Sequence, residues 1–453
     1  MIDIIKKEGV KPVRILITGY IVLIAIGTIL LSLPISHNGI FSIIDAVFTS
    51  ASAVCVTGLI VKDTPVFFTP FGKSVLLLLI QIGGIGYMSI ITLFAVLIGR
   101  KMTFQEELMI KTSYNHVSMD DIGKFALSVL KWTVVVEILG AIILFFRFYL
   151  IYKFDLFHSF SKSIFHSVSS FCNAGFSLFS TSIKGYYNDP IIVGTISLLI
   201  ILGGLGFFVL RDIYSSILKK RKITVHSKIV LSTTLLLIVI GIIVILAMEN
   251  NSSLMNLSLT DKVFISFFQS VTARTAGFNT INISLLTNGT LFFIIILMFI
   301  GASPGGTGGG IKTTTFSVLI TGLRKLASKD DRVDLFKRNL SINSINRAFF
   351  IFTISLMFVI VSLLLLLGTQ NLQGNALNII FEEISAFGTV GLSVGSETIT
   401  NTSLSADFNT FGKLIIIITM IFGKIGPFSV ALALVEKGKK SKIQYPPLEI
   451  IIG

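Results

Sequence analysis

Long apolar segments without charge limit most strongly how this chain can fold. From Ser74 to Gly99 no side chain is charged, and about 20 apolar residues suffice for a helix to cross a bilayer. The chain is 53% hydrophobic and only 13% charged, whereas soluble domains carry about 25% charged residues. The sequence therefore predicts an all-α integral membrane protein.

A short motif that ends in glycine recurs four times. Each copy closes a short run rich in Ser, Phe, Ala and Val, and a long apolar segment with further glycines follows it. The four motifs are Val56-Thr57-Gly58-Leu59, Asn173-Ala174-Gly175-Phe176, Thr275-Ala276-Gly277-Phe278 and Thr389-Val390-Gly391-Leu392. Internal repetition indicates diverged copies of one unit. We predict repeats over residues 1–99, 100–222, 223–338 and 339–453.

The run before each motif is too short to cross a bilayer. Residues 41–56 predict a helix of about 15 residues, and at about 1.5 Å per residue it cannot span about 30 Å of hydrocarbon. We expect each such run to enter the membrane and return, so that a repeat consists of a span, a re-entrant pore helix and a second span. The predicted spans are 15–33, 71–99, 125–152, 191–218, 229–248, 291–323, 348–367 and 411–435, and the predicted pore helices are 41–56, 159–172, 261–275 and 375–387.

The formal net charge of +14 raises the question of a nucleic-acid partner. Clusters of Lys and Arg precede the first predicted span and follow the fourth, sixth and last, whereas the other connections hold most of the Asp and Glu. This asymmetry is the positive-inside pattern of membrane proteins, and no basic patch is interleaved with stacking aromatics. We predict that both termini are cytoplasmic, and nucleic acid need not be invoked.

Glycine at the end of four pore helices is typical of a cation filter. A cation that leaves water needs its hydration shell replaced, and rings of backbone carbonyls do this for potassium. Glycine permits the backbone angles that turn successive carbonyls inward, and the C-terminal end of each helix dipole favours a cation. The alternative is that these glycines only allow close helix packing, but their recurrence at one place in four repeats favours the filter.

Two strings in the third repeat carry a family resemblance. Thr272-Ala273-Arg274-Thr275-Ala276-Gly277-Phe278-Asn279 and Gly305-Gly306-Thr307-Gly308-Gly309-Gly310-Ile311-Lys312-Thr313 resemble signatures of bacterial potassium transporters of the Trk/Ktr/HKT superfamily. The resemblance covers essentially the full chain, and the chain length favours the KtrB branch of the superfamily. The second string also looks like a phosphate-binding loop, but Ile311 stands where that motif requires Lys, which argues against an ATPase. No Ser-His-Asp arrangement or carboxylate pair stands out for catalysis, so we expect no enzyme.

The resemblance implies particular site residues. The selectivity filter is expected to be formed by Thr57, Gly58, Ala174, Gly175, Ala276, Gly277, Val390 and Gly391. Segment 301–312 is expected to lie below the filter as an intramembrane gating loop, with the alternative that it is a rigid kink. The residues of that loop are Gly301, Ser303, Pro304, Gly305, Gly306, Thr307, Gly308, Gly309, Gly310 and Lys312.

Two charged residues are predicted at membrane depth. Lys424 lies within the eighth predicted span, where a cation is costly and would raise a barrier beneath the filter; the alternative is a packing partner for a backbone carbonyl. The family usually has arginine at the matching place. Arg274 lies in the third pore helix, and we predict that it braces the filter by pairing with Glu382 or Glu383.

The resemblance also implies partners and ions. Members of the KtrB branch form homodimers in the bacterial plasma membrane, on a cytoplasmic ring of KtrA-like, RCK-type regulatory subunits that bind nucleotides. Potassium is then the permeant ion, sodium a possible activator, and no covalent cofactor is expected. The alternatives are a carrier that couples sodium to potassium, since broken helices also occur in such carriers, and a scaffold or receptor that transports nothing.

Overall fold

The computed structural model describes residues 10–86, 122–327, 334–336, 338–370 and 376–427. Helices dominate this part of the chain, and the β structure is one antiparallel pair of two-residue strands, β1 (Asp334–Leu335) and β2 (Arg338–Asn339). The helices are α1 (Val10–Leu31), α2 (Ile43–Val54), α3 (Thr64–Phe67), α4 (Pro70–Ile85), α5 (Ile122–Phe146), α6 (Leu156–Phe171), α7 (Pro190–Leu205), α8 (Phe207–Lys219), α9 (Val225–Glu249), α10 (Leu259–Thr272), α11 (Asn288–Phe299), α12 (Thr313–Ala327), α13 (Ile342–Thr369), α14 (Ala376–Gly388) and α15 (Thr410–Ile425).

Four long helices carry long apolar windows. They are α1, α5 with the π-helical turn that continues it, α9 and α13. By length and composition, four helices in the described part of the chain could cross a membrane, or five if the bent pair α7 and α8 is one span. The remaining predicted spans are shorter or interrupted in the structure. Residues 87–99 and 428–435 of two predicted spans lie outside the described residues.

Each long helix is followed by a short helix that is buried in its second half. These short helices are α2, α6, α10 and α14, and they correspond to the four predicted pore helices. Side chains cap the first three: Ser42, Asp155 and Ser258 each accept a hydrogen bond from the backbone amide three residues later. Such caps satisfy amides that the first turn leaves unpaired, so the sequence itself determines where these helices begin.

The predicted span over 191–218 is broken in the structure. The structure divides it into α7 and α8, which are bent by 101° at Gly206. The backbone there has φ +92°, and a Cβ on Gly206 would lie 2.5 Å from the carbonyl oxygen of Pro304. Glycine adopts this left-handed conformation without a steric penalty. The chain therefore turns where segment 301–312 comes closest to it.

The first and fourth repeats lie side by side. Lys413 Nζ, on α15, lies 2.8 Å from Asp45 Oδ1, on α2. Two hydrogen bonds connect Ile60 and Ser403: Ile60 N donates to Ser403 Oγ, and Ser403 N donates to the carbonyl of Ile60. These contacts join the first predicted repeat to the fourth.

Candidate functional site: a ring of four glycine turns

The four predicted filter glycines all have a positive φ angle. Their φ angles are +93° at Gly58, +69° at Gly175, +80° at Gly277 and +88° at Gly391. The residue two positions earlier is also left-handed in each repeat, namely Val56, Asn173, Thr275 and Thr389. A non-glycine residue held in this region costs about 1–3 kcal/mol, and such strain clusters at functional sites. The fold therefore maintains the same strained turn four times.

The four turns meet around a common centre. A Cβ added to Gly58 would lie 2.4 Å from the carbonyl oxygen of Ala174, and one added to Gly175 would lie 2.8 Å from that of Ala276. The ring continues from Gly277 to the carbonyl of Val390, at 2.3 Å, and from Gly391 to that of Thr57, at 2.1 Å. Each glycine thus faces the carbonyl of the next repeat, and any side chain would fill the space between them.

Four carbonyl oxygens lie in this ring, those of Thr57, Ala174, Ala276 and Val390. Within the described part of the chain, no hydrogen bond reaches any of them. Buried backbone carbonyls are nearly always paired, and a layer of unpaired carbonyls is the arrangement that replaces the water around a potassium ion. The structure brings together all eight residues predicted for the filter.

Side chains in the last turn of each short helix hold the turns in place. Ser52 Oγ accepts from Gly58 N and Ser385 Oγ accepts from Gly391 N, both at 3.1 Å. Ser169 Oγ donates to the carbonyl of Phe176 at 2.7 Å, and Thr272 Oγ1 donates to that of Phe278 at 2.8 Å. Sequence analysis missed these hydroxyls, although a hydroxyl five or six residues before each glycine was a visible signal.

A cavity of about 340 Å³ lies on one side of the ring. Its lining includes all four predicted filter glycines and residues that follow them, many with hydroxyl or amide side chains. Asp63 and Lys184 are the two charged residues of the lining. The cavity gives a hydrated ion room to approach the carbonyl ring from that side.

Segment 301–312 lies on the other side of the ring, against residues that precede the glycines. A Cβ on Gly308 would lie 2.1 Å from Thr275 Oγ1, and Gly309 N donates to Thr389 Oγ1 at 2.8 Å. Ser303 N donates to the carbonyl of Gly204 at 3.0 Å and Thr307 N to that of Gly203 at 3.1 Å. The segment is irregular and mostly buried, so it connects the second repeat to the turns of the third and fourth.

The two lysines at this depth both contact the segment. Lys424 Nζ donates to the carbonyl of Thr307 at 2.5 Å. Lys312 Nζ donates to the carbonyl of Gly308 at 2.6 Å. Ammonium groups thus bind successive carbonyls of the loop, and the carbonyl partner that was the alternative for Lys424 is present.

Arg274 does not pair with Glu382 or Glu383, so that prediction is wrong. Its Nη1 and Nη2 lie 3.4 Å from the carbonyl and Oγ1 of Thr234 on α9. Glu382 instead accepts from the backbone amide and hydroxyl of Ser405, and Glu383 accepts from hydroxyl groups. Because α10 packs on α9 within its own repeat, the guanidinium reaches a neighbour that charge matching did not suggest.

Three glycines in the second segment of a repeat support the short helices. A Cβ on Gly83, Gly203 or Gly423 would lie only 2.0, 1.8 or 1.9 Å from the carbonyl of Val54, Phe171 or Phe387, respectively. These carbonyls are at the C-terminal ends of α2, α6 and α14. Only a residue without a side chain fits there. The sequence showed these glycines but not that each faces a helix end.

Comparisons with known proteins show to which family the chain belongs. A carbonyl ring on a scaffold of long apolar helices is the arrangement of a membrane protein that transports cations. A family model described as "TrkH: Cation transport protein" matches residues 10–443, so the chain belongs to the TrkH family of cation transport proteins. The resemblance to the Trk and Ktr transporters is confirmed.

Individual relatives place the chain within the family. It is 36% identical to "Ktr system potassium uptake protein B" of Bacillus subtilis, over 99% of this chain and 98% of that protein. It is also 36% identical to "Potassium/sodium uptake protein NtpJ" of Enterococcus hirae, over 99% and 98%. The crystal structure of the potassium transporter TrkH from Vibrio parahaemolyticus has a TM-score of 0.74 at 19% identity, covering 93% of this chain and 84% of that one, so the two share a fold.

Proposed function

We propose that this protein takes up potassium through a channel-like selectivity filter formed by the four glycine turns. The observation that carries the proposal is the ring of four carbonyl oxygens without hydrogen-bond partners among the described residues. The printed names of its relatives, potassium uptake proteins of the Ktr system, support the same substrate. In this proposal eight spans and four pore helices surround one pore per chain.

The loop at 301–312 is proposed to gate this pore. Its support is its position: it lies against Thr275 and Thr389 on the side of the ring opposite the cavity. Its glycines give it little preference for helix, so it can change conformation. Hydrogen bonds from Lys424 and Lys312 to its carbonyls would hold it in the obstructing position.

Regulation by a second subunit belongs to the same proposal. The relatives are named as parts of a Ktr system, which supports a second component. In the proposal this component is a cytoplasmic, KtrA-like, RCK-type subunit that binds nucleotides, and the chain forms a homodimer in the plasma membrane with cytoplasmic termini. Residues 445–453, the C-terminal tail, are proposed to dock on that partner; they lie outside the described residues. Arg274 is proposed to brace the third turn through Thr234.

The test is ion flux into liposomes that hold the purified protein. Wild type should pass rubidium, a potassium analogue, in preference to sodium, and Gly277→Ser should reduce that preference because a side chain would overlap the carbonyl of Val390. Ser266→Ala is the matched control, because Ser266 is a buried serine of α10, the short helix before this turn, and its hydroxyl has no partner among the described residues. Equal preference in wild type and Gly277→Ser would contradict the filter.

One comparison favours a second candidate, a carrier that couples sodium to potassium. The relative from Enterococcus hirae is named a potassium/sodium uptake protein. A fixed ratio of sodium to rubidium fluxes, independent of both gradients, would support the carrier. Rubidium influx that follows its own electrochemical gradient without sodium would support the channel-like pore.

A further inference from the structure

Three of the four repeats share one buried contact behind the filter. A glycine of the long helix faces a serine of the short helix and a leucine of the second segment. In each, the serine hydroxyl donates to a carbonyl three residues before that glycine, at 2.6 to 2.9 Å. The three sets are Gly27, Ser50 and Leu79; Gly140, Ser167 and Leu199; and Gly241, Ser270 and Leu297.

The fourth repeat replaces all three residues with more polar ones. Ser362, on α13, takes the place of the glycine, Glu383, on α14, that of the serine, and Thr419, on α15, that of the leucine. Glu383 stands eight residues before the filter glycine, as Ser50 and Ser167 do in their repeats. The hydroxyl of Ser362 donates to Glu383 Oε1, and Thr419 Oγ1 donates to the same oxygen at 3.0 Å.

This carboxyl group is completely enclosed. Glu383 and Thr419 have no exposed surface and Ser362 is 5% exposed. Among the described residues Glu383 takes part in no ion pair, and its Oε2 has no hydrogen-bond partner. Burying such a group is costly, and ionisable residues inside membrane proteins are pointers to function. A trio of Gly, Ser and Leu would have packed this place without that cost.

Glu383 lies in the short helix that ends at the fourth turn of the filter. Its helix α14 ends at Gly388, after which Val390 N donates to the carbonyl of Ser385 at 2.8 Å and Gly391 N donates to Ser385 Oγ. In the other repeats the serine hydroxyl connects the short helix to the long helix alone, whereas Glu383 connects α14 to α13 and α15 together. The placement of α14 therefore fixes where the carbonyl of Val390 enters the ring.

We propose that Glu383, with Ser362 and Thr419, is a positioning residue that sets the fourth carbonyl of the filter and thereby the preference for potassium over sodium. The inference rests on the proposed function of the ring. Carbonyl position matters because the number and arrangement of coordinating carbonyls discriminate potassium from sodium. The fourth repeat is then the one whose position depends on a hydroxyl–carboxyl network.

The first experiment compares Thr419→Val with wild type in the liposome assay, measuring rubidium and sodium influx separately. Valine keeps the shape and removes one hydrogen bond to Glu383. We expect the rubidium-to-sodium ratio to fall several-fold while rubidium influx remains measurable. The matched control is Thr133→Val, which alters a fully buried threonine of α5 whose hydroxyl has no partner among the described residues; its ratio should equal that of wild type.

A triple variant tests the alternative that Ser362, Glu383 and Thr419 only fill the space that Gly, Ser and Leu fill in the other repeats. Ser362→Gly, Glu383→Ser and Thr419→Leu together rebuild the trio of the other repeats, and we expect a folded transporter with a lowered ratio. A wild-type ratio in Thr419→Val or in the triple variant would overturn the inference. If the triple variant does not fold, the result for Thr419→Val decides. Absence of rubidium preference in wild type would instead contradict the proposed filter.

Discussion

Replacing Lys424 by methionine tests the proposed gate most directly. The ammonium donates to the carbonyl of Thr307, and a hydrogen bond to a charged group contributes about 1.5–3 kcal/mol. Lys424 is only partly buried, so the lower end of that range applies. At about 1.4 kcal/mol for a tenfold change in an equilibrium, the open loop should be populated roughly tenfold more. Rubidium influx without any regulatory subunit should rise about tenfold.

The assay also separates two roles of this lysine. If Lys424 acts by holding the loop, Lys424→Met should add nothing once residues 305–309 are deleted. If it acts as an electrostatic barrier, the substitution should raise influx in the deleted protein as well. Lys262→Met, which removes a partly buried lysine that binds the carbonyl of Asn250, is the control. Influx of Lys424→Met at or below the wild-type level would refute both roles.

Two further predictions concern the scaffold around the filter. Asp45→Asn should lower the free energy of unfolding by about 1–3 kcal/mol, because Lys413 loses its ionic partner at a site where both side chains are 12% exposed. Thermal melting in detergent measures this loss, and an unchanged melting temperature would contradict the prediction. Burial acts to raise the pKa of Asp407, but hydrogen bonds from two hydroxyls and two backbone amides outweigh it and hold the pKa below its ordinary value. The resulting stabilisation is present above about pH 4, the unfolded pKa, and is lost as the pH falls through the lower folded pKa, so hydrogen exchange in residues 396–407 should increase there in wild type but not in Asp407→Asn.

Local sequence patterns were sufficient to predict many of the helices. Apolar length predicted the long helices, and the repeated run ending at Gly58 and its equivalents predicted four short helices within a few residues of their observed bounds. Thr272 shows the error at the ends: α10 stops there, whereas the prediction continued to Thr275, which is left-handed. The sequence is apolar on both sides of Gly206, so it gave no sign of the bend between α7 and α8. That bend lies beside the carbonyl of Pro304, which belongs to a distant segment.

The importance of Ser362, Glu383 and Thr419 could not be recognised from any one of these residues alone. It appears only when the four repeats are superimposed, because a glutamate then stands where three repeats have serine. Alignment of the repeats would have pointed to this place. It would not have shown that Thr419, on a helix that follows later in the chain, donates to the same carboxylate oxygen.

The sequence by itself determined which residues carry the candidate site. Glycine, small side chains and helix length act through the local backbone, so Gly58 or Gly391 could be identified without a fold. Only the tertiary structure decided their neighbours: which carbonyl each glycine faces, which side chains the loop at 301–312 contacts, and that Arg274 meets Thr234. These contacts join segments distant in the chain. By residue type alone several side chains could be the partner of a given group, and the close packing of helices decides which one contacts it.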